Sequence, residues 1–344
     1  AEVIRIMGEK DRARREAAAA GLPVIPGTPG VVEDEHAALR AAEEIGYPLM
    51  LKASAGGGGR GMRIVRGPAE ILPAFRAARH EAGQAFGVPD VYIEKYVERP
   101  RHIEFQVLGD RHGRVMHLGE RECSVQRRHQ KLIEEAPSPA VDNSVRESLG
   151  ARVVAALEKL GYSGAGTVEF LRDARGEFYF IEMNTRIQVE HPVTESVTGV
   201  DLVKAQIRLA AGEKLADVVP RYTLSGHSIE CRINAEDPET FAPSPGRITA
   251  FHAPGGHGVR VDTAMHSDAV VPPHYDSLIA KLIVRAPSRP EAIARMRRAL
   301  EMFIIEGVKT TIPLQRRIMD DPQFQRGDLH TGFLDHLLAR AEHA

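Results

Sequence analysis

Hydrophobic and polar positions along the 344-residue chain follow helical spacing in some segments and strand spacing in others. Apolar residues recur at intervals of three and four between Val145 and Leu160, which predicts an amphipathic helix. A second helix is predicted over 35–45. Apolar runs at 47–53 and 91–97 predict buried strands. The mixture of helices, strands and hairpins predicts an α+β (mixed α/β) fold.

The polar alternation that follows a predicted hairpin is the most informative pattern. Segments 166–171 and 178–183 flank a turn at 173–176, as two antiparallel strands would. Beyond it every second residue is polar, and in an extended strand these side chains share one face. They are Glu182, Asn184, Arg186, Gln188 and Glu190. The alternative is an edge strand with a solvated polar side.

Two carboxylates in this hairpin suggest metal chemistry. Glu169 and Glu182 lie at nearly equal distances from the turn, so we expect them to face each other across the strands. A divalent cation between them would offset their repulsion, and oxygen ligands that include Asn184 suit Mg²⁺ or Mn²⁺. The alternative is an ordinary surface pair, each carboxylate satisfied by a nearby lysine or arginine.

A run of four glycines, 56–59, lies between Lys52 and Arg60. Glycine lets backbone N–H groups approach phosphate oxygens closely, so the segment predicts a phosphate-binding lid. It matches neither the Walker pattern nor GxGxxG. The alternative is a flexible hairpin tip.

The basic run 126–131 has three open interpretations: an RNA patch, a solvated loop and an anion site in an enzyme cleft. No aromatic residue lies within it for base stacking, and the net charge of −2 gives no bulk attraction to nucleic acid or membranes. We therefore favour the anion site. Glu190 precedes His191 and Pro192, but no second histidine lies at helical spacing, so a zinc site is not indicated. We predict that Glu190 is a general base near Arg186.

The rest of the composition sets few limits. The two cysteines, Cys123 and Cys231, have no metal-binding spacing and suggest no disulfide framework, which favours a reducing, cytoplasmic setting. No apolar stretch approaches the length of a membrane span. The chain opens at Ala1 and runs directly into the apolar segment 3–7, so we expect a fragment of a longer fold.

Several motifs occur together and in order: Met7–Lys10, the glycine run, Ile93–Tyr96, Gln126–Lys131, Phe180–Pro192 and Glu230–Asp237. In this combination, from residue 1 to about 338, the chain resembles biotin carboxylase, the ATP-grasp component of biotin-dependent carboxylases. The resemblance implies an ATP-grasp fold with a glycine-loop lid and a C-terminal biotin carboxylase-type domain. The implied divisions are a linker at 1–23, a lid subdomain at 24–97, a catalytic core at 98–225 and the C-terminal domain at 226–344.

The resemblance also implies roles for individual residues. Those that would bind the nucleotide are Lys10 and Lys52 at the phosphates, Gly58 and Gly59 in the lid, Glu94, Lys95 and Val97 at adenine, and His102, Gln126 and His129 near the ribose. Glu169, Glu182 and Asn184 would hold two Mg²⁺ or Mn²⁺ ions. Lys131, Arg186, Gln188 and Val189 would form the bicarbonate pocket, with Glu190 as the base and Arg232 facing biotin.

The implied activity is ATP- and bicarbonate-dependent carboxylation of biotin through carboxyphosphate. Biotin would sit on a separate carrier, because the chain has no Met-Lys-Met attachment site. The implied partners are biotin carboxyl carrier protein, a carboxyltransferase and a second copy in a homodimer. The open-sheet domain that opens family members is absent here, which puts the activity of this chain alone in question. Two alternatives stay open: another ATP-grasp ligase joining a carboxylate to an amine, and a truncated nucleotide-binding domain without turnover.

Overall fold

A computed structural model of the chain describes residues 2–8, 10–54 and 62–342, with the side chains of residues 2, 10, 11, 341 and 342 left undescribed. The helices are α1 (Glu2–Gly8), α2 (Lys10–Ala19), α3 (Glu35–Ile45), α4 (Ile71–Phe86), α5 (Asn143–Lys159), α6 (His191–Thr198), α7 (Leu202–Ala210), α8 (Leu215–Val218), α9 (Arg289–Met302), α10 (Ile312–Asp320), α11 (Pro322–Gln325) and α12 (Phe333–Glu342). In the described part of the chain, no helix is both long and apolar enough to span a bilayer.

The strands are β1 (Leu49–Ala53), β2 (Arg63–Val65), β3 (Val91–Lys95), β4 (Arg101–Gly109), β5 (Val115–Arg127), β6 (Gln130–Ala136), β7 (Gly164–Arg172), β8 (Phe178–Asn184), β9 (His227–Asn234), β10 (Gly246–Arg247), β11 (Ala250–His252), β12 (Val259–Thr263), β13 (Val270–Val271), β14 (Leu278–Ala286) and β15 (Ile304–Glu306). Eight of them form one antiparallel sheet in the order β12-β14-β9-β6-β5-β4-β7-β8. Strands from both sides of residue 226 therefore share a sheet. The division into four segments stays a prediction.

Two helices cover the two halves of this sheet. α5 packs against β5, where Leu149, Val153 and Leu157 are buried with apolar residues of β4 and β7. α9 packs against β14 and β9 and contributes Ile293, Met296 and Leu300 to a second core. These two helices bury one face of the sheet, and α6 and α7 cover part of the other face. Polar side chains on the remainder of that face can line a site.

A smaller sheet, in the order β2-β1-β3, packs against α3 and α4. As predicted, α3 begins after Asp34, whose side chain accepts a hydrogen bond from the Ala37 N–H at 2.7 Å, and ends at Gly46 with a φ of 74°. β1 is fixed between β2 and β3, with Lys52 opposite Tyr92.

Two sequence-based predictions of local structure are wrong. The spacing of Ile293, Met296, Leu300 and Ile304 predicts one apolar face of a final helix. In the structure α9 ends at Met302, and Ile304 is exposed on β15. Three further helices, α10 to α12, follow it. The polar alternation from 182 to 190 also does not form one strand, because β8 ends at Asn184.

Candidate functional site

A cavity of about 1130 Å³ lies between the small sheet and the polar face of the large sheet. The residues predicted for the site that line it are Lys52, Glu94, Lys95, Val97, His102, Gln126, His129, Lys131, Glu169, Glu182, Asn184, Arg186, Gln188, Val189, Glu190 and Arg232. Gly58, Gly59 and the side chain of Lys10 lie outside the described residues. Segments that are distant in sequence thus meet around one cavity.

Glu190 lies buried at the base of the cavity between two cations. Lys131 on β6 donates from Nζ to Glu190 Oε1 at 2.5 Å, and Arg232 on β9 donates from Nη2 to Oε2 at 3.0 Å. Both strands belong to the large sheet, whereas Glu190 precedes α6. Two positive charges therefore hold the Glu190 carboxylate in place at the base of the cavity.

The segment 185–190 reaches this position as a turn and not as a strand. The chain leaves β8 after Asn184, and Glu190 has φ −81° and ψ 4° at the start of α6. Pro192 in the first turn of α6 explains the helix start, because proline has no N–H to donate and its φ suits that position. The turn allows Gln188 and Glu190 to be buried, whereas Arg186 stays exposed.

The paired carboxylates of the hairpin face each other as predicted, since Glu169 of β7 and Glu182 of β8 are partners in the antiparallel register. Glu169 Oε1 accepts hydrogen bonds from Asn184 Nδ2 and Gln188 Nε2, both at 2.8 Å, and lies 3.2 Å from Lys131 Nζ. The neighbouring cations Lys131 and His102 outweigh the effect of burial and hold the pKa of Glu169 well below its usual range.

The same carboxylate affects His102, whose Nε2 lies 2.8 Å from Glu169 Oε2. Burial by itself would lower the pKa of His102, and the negative charge of Glu169 outweighs it, so that the pKa is raised. The lowered pKa of Glu169 favours its anionic form, which in turn favours the protonated form of His102.

These groups fit a divalent cation. Glu182 lines the cavity, and its carboxylate has no hydrogen bond or ion pair within the described part of the chain. With the Asn184 amide donating to Glu169, the amide oxygen is left as an acceptor. Carboxylate and amide oxygens are the donors that Mg²⁺ prefers. A tighter cluster of His102, Glu104 and Glu169 has its ligand atoms within 4.8 Å of one another, but Lys131 contacts both of its carboxylates.

The opposite end of the cavity carries the groups predicted to bind nucleotide. Lys52 Nζ lies 2.6 Å from Glu94 Oε2, and Arg14 Nε lies 3.4 Å from Glu94 Oε1. Lys95 Nζ donates to the carbonyls of Gly46 and Tyr47 at 2.9 and 2.7 Å. Apolar side chains that line this end are Ile25, Met50, Ile64, Leu171 and Ile181. An apolar wall beside a lysine and a glutamate suits a flat aromatic base with polar edges.

The basic run 126–131 forms the hairpin between β5 and β6. Arg128 and His129 have positive φ values of 47° and 67°, as a tight turn requires. Gln126 and Lys131 pair across the strands and both line the cavity. The run therefore contributes to the cavity lining, and its use as an anion site stays a prediction.

Sequence reasoning missed Arg121, a fully buried arginine behind the site. It donates to Glu104 Oε1 at 2.6 Å, Gln106 Oε1 at 2.7 Å and Gln188 Oε1 at 3.3 Å. Lys131 and Arg121 together outweigh burial and lower the pKa of Glu104 to about 2. Glu104 and Gln106 alternate with apolar residues in β4, and Arg121 lies between two other charged residues, Glu120 and Glu122, in β5. Neither pattern distinguishes these side chains from those of a solvated face.

Comparison with known proteins shows the class to which the chain belongs. Residues 9–218 match the family model described as carbamoyl-phosphate synthase L chain, ATP binding domain, which is an ATP-grasp domain, and residues 230–336 match the biotin carboxylase C-terminal domain. A biotin carboxylase of Nostoc sp. is 57% identical over 98% of this chain and 75% of its own length. A biotin carboxylase of Pseudomonas aeruginosa is 52% identical over 100% of this chain and 76% of its own length.

Comparison with solved structures indicates the same family. The biotin carboxylase domain dimer of Hydrogenobacter thermophilus 2-oxoglutarate carboxylase, in complex with MgADP, ADP and bicarbonate, is 54% identical with a TM-score of 0.93, covering 98% of this chain and 75% of that one. A biotin carboxylase of Campylobacter jejuni, described as a β-γ-ATP complex, is 48% identical with a TM-score of 0.94, over 97% of this chain and 75% of that one. The chain belongs to the biotin carboxylase family.

Proposed function

We propose that this chain carboxylates biotin with ATP and bicarbonate, as the first half-reaction of a biotin-dependent carboxylase. The observation that carries the proposal is the position of Glu190, a buried carboxylate between Lys131 and Arg232 at the base of the cavity. A general base must lie beside the proton that it removes, and the anion that forms needs cations nearby. Both requirements are met at one place.

The chain's own residues account for the first step. Glu190 takes the proton of bicarbonate, and Lys131 with Arg186 offsets the charge of the resulting dianion. The dianion attacks the γ-phosphorus of ATP, ADP leaves, and carboxyphosphate forms. Gln188 and Val189 complete the anion pocket, and Lys10 and Lys52 attract the phosphates. Mg²⁺ or Mn²⁺ on Glu169, Glu182 and Asn184 supplies charge neutralisation when it is bound.

The second step takes place near Arg232. Carboxyphosphate breaks down to CO₂ and phosphate, the phosphate removes the ureido proton of biotin, and the nitrogen bonds to CO₂. Arg232 stabilises the negative ureido oxygen. Within the described chain its Nη1 has no hydrogen bond, while Nε and Nη2 contact Glu134 and Glu190. A glycine lid that includes Gly58 and Gly59 would exclude water from the labile intermediate.

At the nucleotide end, Glu94, Lys95 and Val97 bind adenine, and His102, Gln126 and His129 lie toward the ribose. Lys52 exchanges its contact with Glu94 for phosphate when ATP binds. Biotin is held on a separate carrier protein, the carboxyltransferase is a separate partner, and the chain pairs with a second copy. Cytoplasmic location belongs to the same proposal. The acyl acceptor is chosen elsewhere, since relatives of similar identity carry the names of pyruvate and 2-oxoglutarate carboxylases.

The test is ADP release from ATP, Mg²⁺, bicarbonate and free biotin, with Glu190→Gln as the variant. Loss of the base should lower the rate roughly 10²- to 10⁴-fold. Glu177→Gln, an exposed glutamate after the β7–β8 turn, is the matched control and should leave the rate unchanged. Equal rates in wild type and Glu190→Gln, or turnover without bicarbonate, would overturn the proposal. Bicarbonate-independent ligation of an amine would favour another ATP-grasp ligase.

A further inference from the structure

Two glutamates face each other in the large sheet beside Arg232. Glu134 on β6 and Glu230 on β9 are direct partners in the antiparallel register, so their side chains share one face. Arg232 lies two residues further along β9 and therefore on that face too. Neither glutamate is accessible to solvent, with 0% relative exposure for both. The pair lies directly behind the site, where water cannot stabilise two charges.

The hydrogen bonds of this pair are incomplete. Glu134 Oε1 accepts from Arg232 Nε at 2.6 Å. Glu134 Oε2 and both carboxyl oxygens of Glu230 have no hydrogen-bond donor among the described residues. Two ionised carboxylates cannot donate to each other, and an unpaired buried acceptor is unfavourable. One proton between the two carboxyl groups would supply a donor and remove one negative charge.

The charged groups that face the pair come from four elements. Arg232 lies on β9 itself, Lys281 on β14, Lys131 on β6 and Glu190 before α6. Each cation already contacts another acceptor: Lys131 contacts Glu190, Arg232 contacts Glu190, and Lys281 Nζ donates to the Val189 carbonyl at 3.0 Å. Within the described chain, no cation forms an ion pair with Glu230.

The pKa shifts of Glu134 and Glu230 agree with this geometry. Burial raises the pKa of Glu230 well above its usual range, and the neighbouring carboxyl of Glu134 raises it further. Burial also raises the pKa of Glu134, to about 7, against the lowering effect of Arg232. Both shifts favour a proton on the pair, in agreement with the unpaired oxygens.

We propose that Glu134 and Glu230 share one proton and act as a positioning pair for Arg232. The Glu230 carboxyl donates to Glu134 Oε2, and Glu134 Oε1 remains free to accept from the guanidinium. Neither residue contacts substrate. The inference rests on the proposed function, in which Arg232 faces the ureido oxygen of biotin. It adds a proton-dependent contact that fixes where the guanidinium lies.

Loss of the shared proton changes the balance of charge around Arg232. With both glutamates ionised, two negative charges lie on one side of the guanidinium and Glu190 lies on the other. The guanidinium is then drawn toward the pair and away from Glu190 and biotin. Biotin carboxylation should fall at alkaline pH as the pair loses its proton.

Infrared difference spectroscopy tests the proton without using activity. Wild type minus Glu230→Gln should contain the carbonyl band of a protonated carboxyl group at neutral pH, and the band should disappear as the pH is raised. Wild type minus Glu177→Gln should contain no such band. Absence of the band at neutral pH, which is the result expected if a buried water satisfies two ionised carboxylates, would overturn the proposal.

Steady-state kinetics tests the positioning role. Glu230→Gln keeps a donor for Glu134 and cannot ionise, so it should retain activity at neutral pH and shift the alkaline fall to higher pH. Glu230→Leu removes the donor and should lower kcat/KM for biotin roughly 10- to 100-fold, with a smaller change in the KM for ATP. A purely structural residue would lower thermal stability without moving the alkaline limb, and that result would contradict the positioning role. If the wild type shows no bicarbonate-dependent turnover, the proposed function fails while the infrared result still decides whether the proton is shared.

Discussion

Arg121 Nη2 donates to Gln188 Oε1 at 3.3 Å from within the large sheet, where solvent does not reach the guanidinium. The same side chain donates to Thr167 Oγ1 at 3.1 Å and Thr194 Oγ1 at 3.0 Å. It therefore connects β5, β7, the turn that carries Gln188 and the helix α6. One buried cation fixes the segment that leads to Glu190.

Replacing Arg121 with methionine should be strongly destabilising. The change leaves the buried Glu104 with Lys131 and the more distant His102, 3.7 Å away, and it removes the Arg121 donor from Gln188 and two threonines. Breaking a buried ion pair by removing one partner costs about 3–5 kcal/mol. Urea unfolding should show this loss, whereas Arg175→Met, at an exposed turn, should change little. Wild-type stability in Arg121→Met would show that the network contributes nothing.

Lys131 should matter for turnover. Its ammonium contacts three carboxylates, Glu104, Glu169 and Glu190, at the edge of the cavity. Lys131→Met removes the charge that is to stabilise the bicarbonate dianion, so kcat for ADP release should fall roughly 10²-fold or more. Lys159→Met, an exposed lysine on α5, is the control. A rate within a few-fold of wild type would argue against an anion pocket here.

Glu182 allows a clean test of the metal site. Because its carboxylate has no protein partner in the described chain, Glu182→Gln should leave the free energy of unfolding unchanged. If it binds Mg²⁺, the concentration needed for half-maximal ADP release should rise about tenfold or more, since a neutral amide is a weaker ligand than a carboxylate. Glu177→Gln in the same hairpin should behave as wild type. An unchanged Mg²⁺ requirement in Glu182→Gln would remove it from the ligand set.

The hairpin that carries these carboxylates could be predicted because its determinants are local. Apolar runs of similar length flank a turn that begins at Asp173, whose side chain accepts from the backbone N–H groups of Arg175 and Glu177. The turn fixes the register next to it, in which Arg172 pairs with Phe178 and Phe170 with Phe180. Continued regularly, this register would place Glu169 opposite Ile181, but a β-bulge between Glu169 and Phe170 places it opposite Glu182. The turn residues therefore predict the hairpin, whereas the bulge that completes the carboxylate pair is not visible in them.

The course of 185–190 could not be predicted in this way. Its alternation fits a strand, but Gln188 and Glu190 are held by Arg121, Lys131 and Arg232 from the large sheet. These tertiary contacts outweigh the local pattern, and period-2 alternation contains no information about them. The site residues themselves were identified mainly through resemblance to a family, since spacing alone left a solvated strand and a surface pair as alternatives.

The alternation of polar and apolar residues also did not show which charged residues are buried. Glu104 alternates with Ile103 and Phe105 in β4, which is typical of a strand with one face in water. In the structure that polar face lies beneath the cavity, and Glu104 has 0% exposure. Arg121 and Lys131 pair with its carboxylate and offset the cost of burying the charge. The alternation within one strand does not show which elements cover its polar face.

Glu135 should make the stability of the fold depend on acid pH. It is buried on β6, where Oε2 lies 2.7 Å from both His227 Nε2 and Arg289 Nε, and Arg289 also donates to the Phe324 carbonyl at 2.8 Å. Burial by itself would raise the pKa of Glu135, but the contacts with His227 and Arg289 lower it to about 2.

The sign of the effect follows from the lowered pKa. A carboxyl group with a lower pKa in the folded state than in the unfolded chain stabilises the fold above its ordinary value of 4.5, and that stabilisation is lost as the pH falls toward 2. The shift corresponds to roughly 3 kcal/mol at neutral pH. Glu135→Gln should therefore be less stable than wild type at neutral pH, and the difference should shrink as the pH is lowered from 4.5 toward 2. Urea midpoints across this range measure it, with Glu147→Gln on the exposed side of α5 expected to follow wild type. A difference between Glu135→Gln and wild type that stays constant with pH would show that the ionised carboxylate is not the source of the stabilisation.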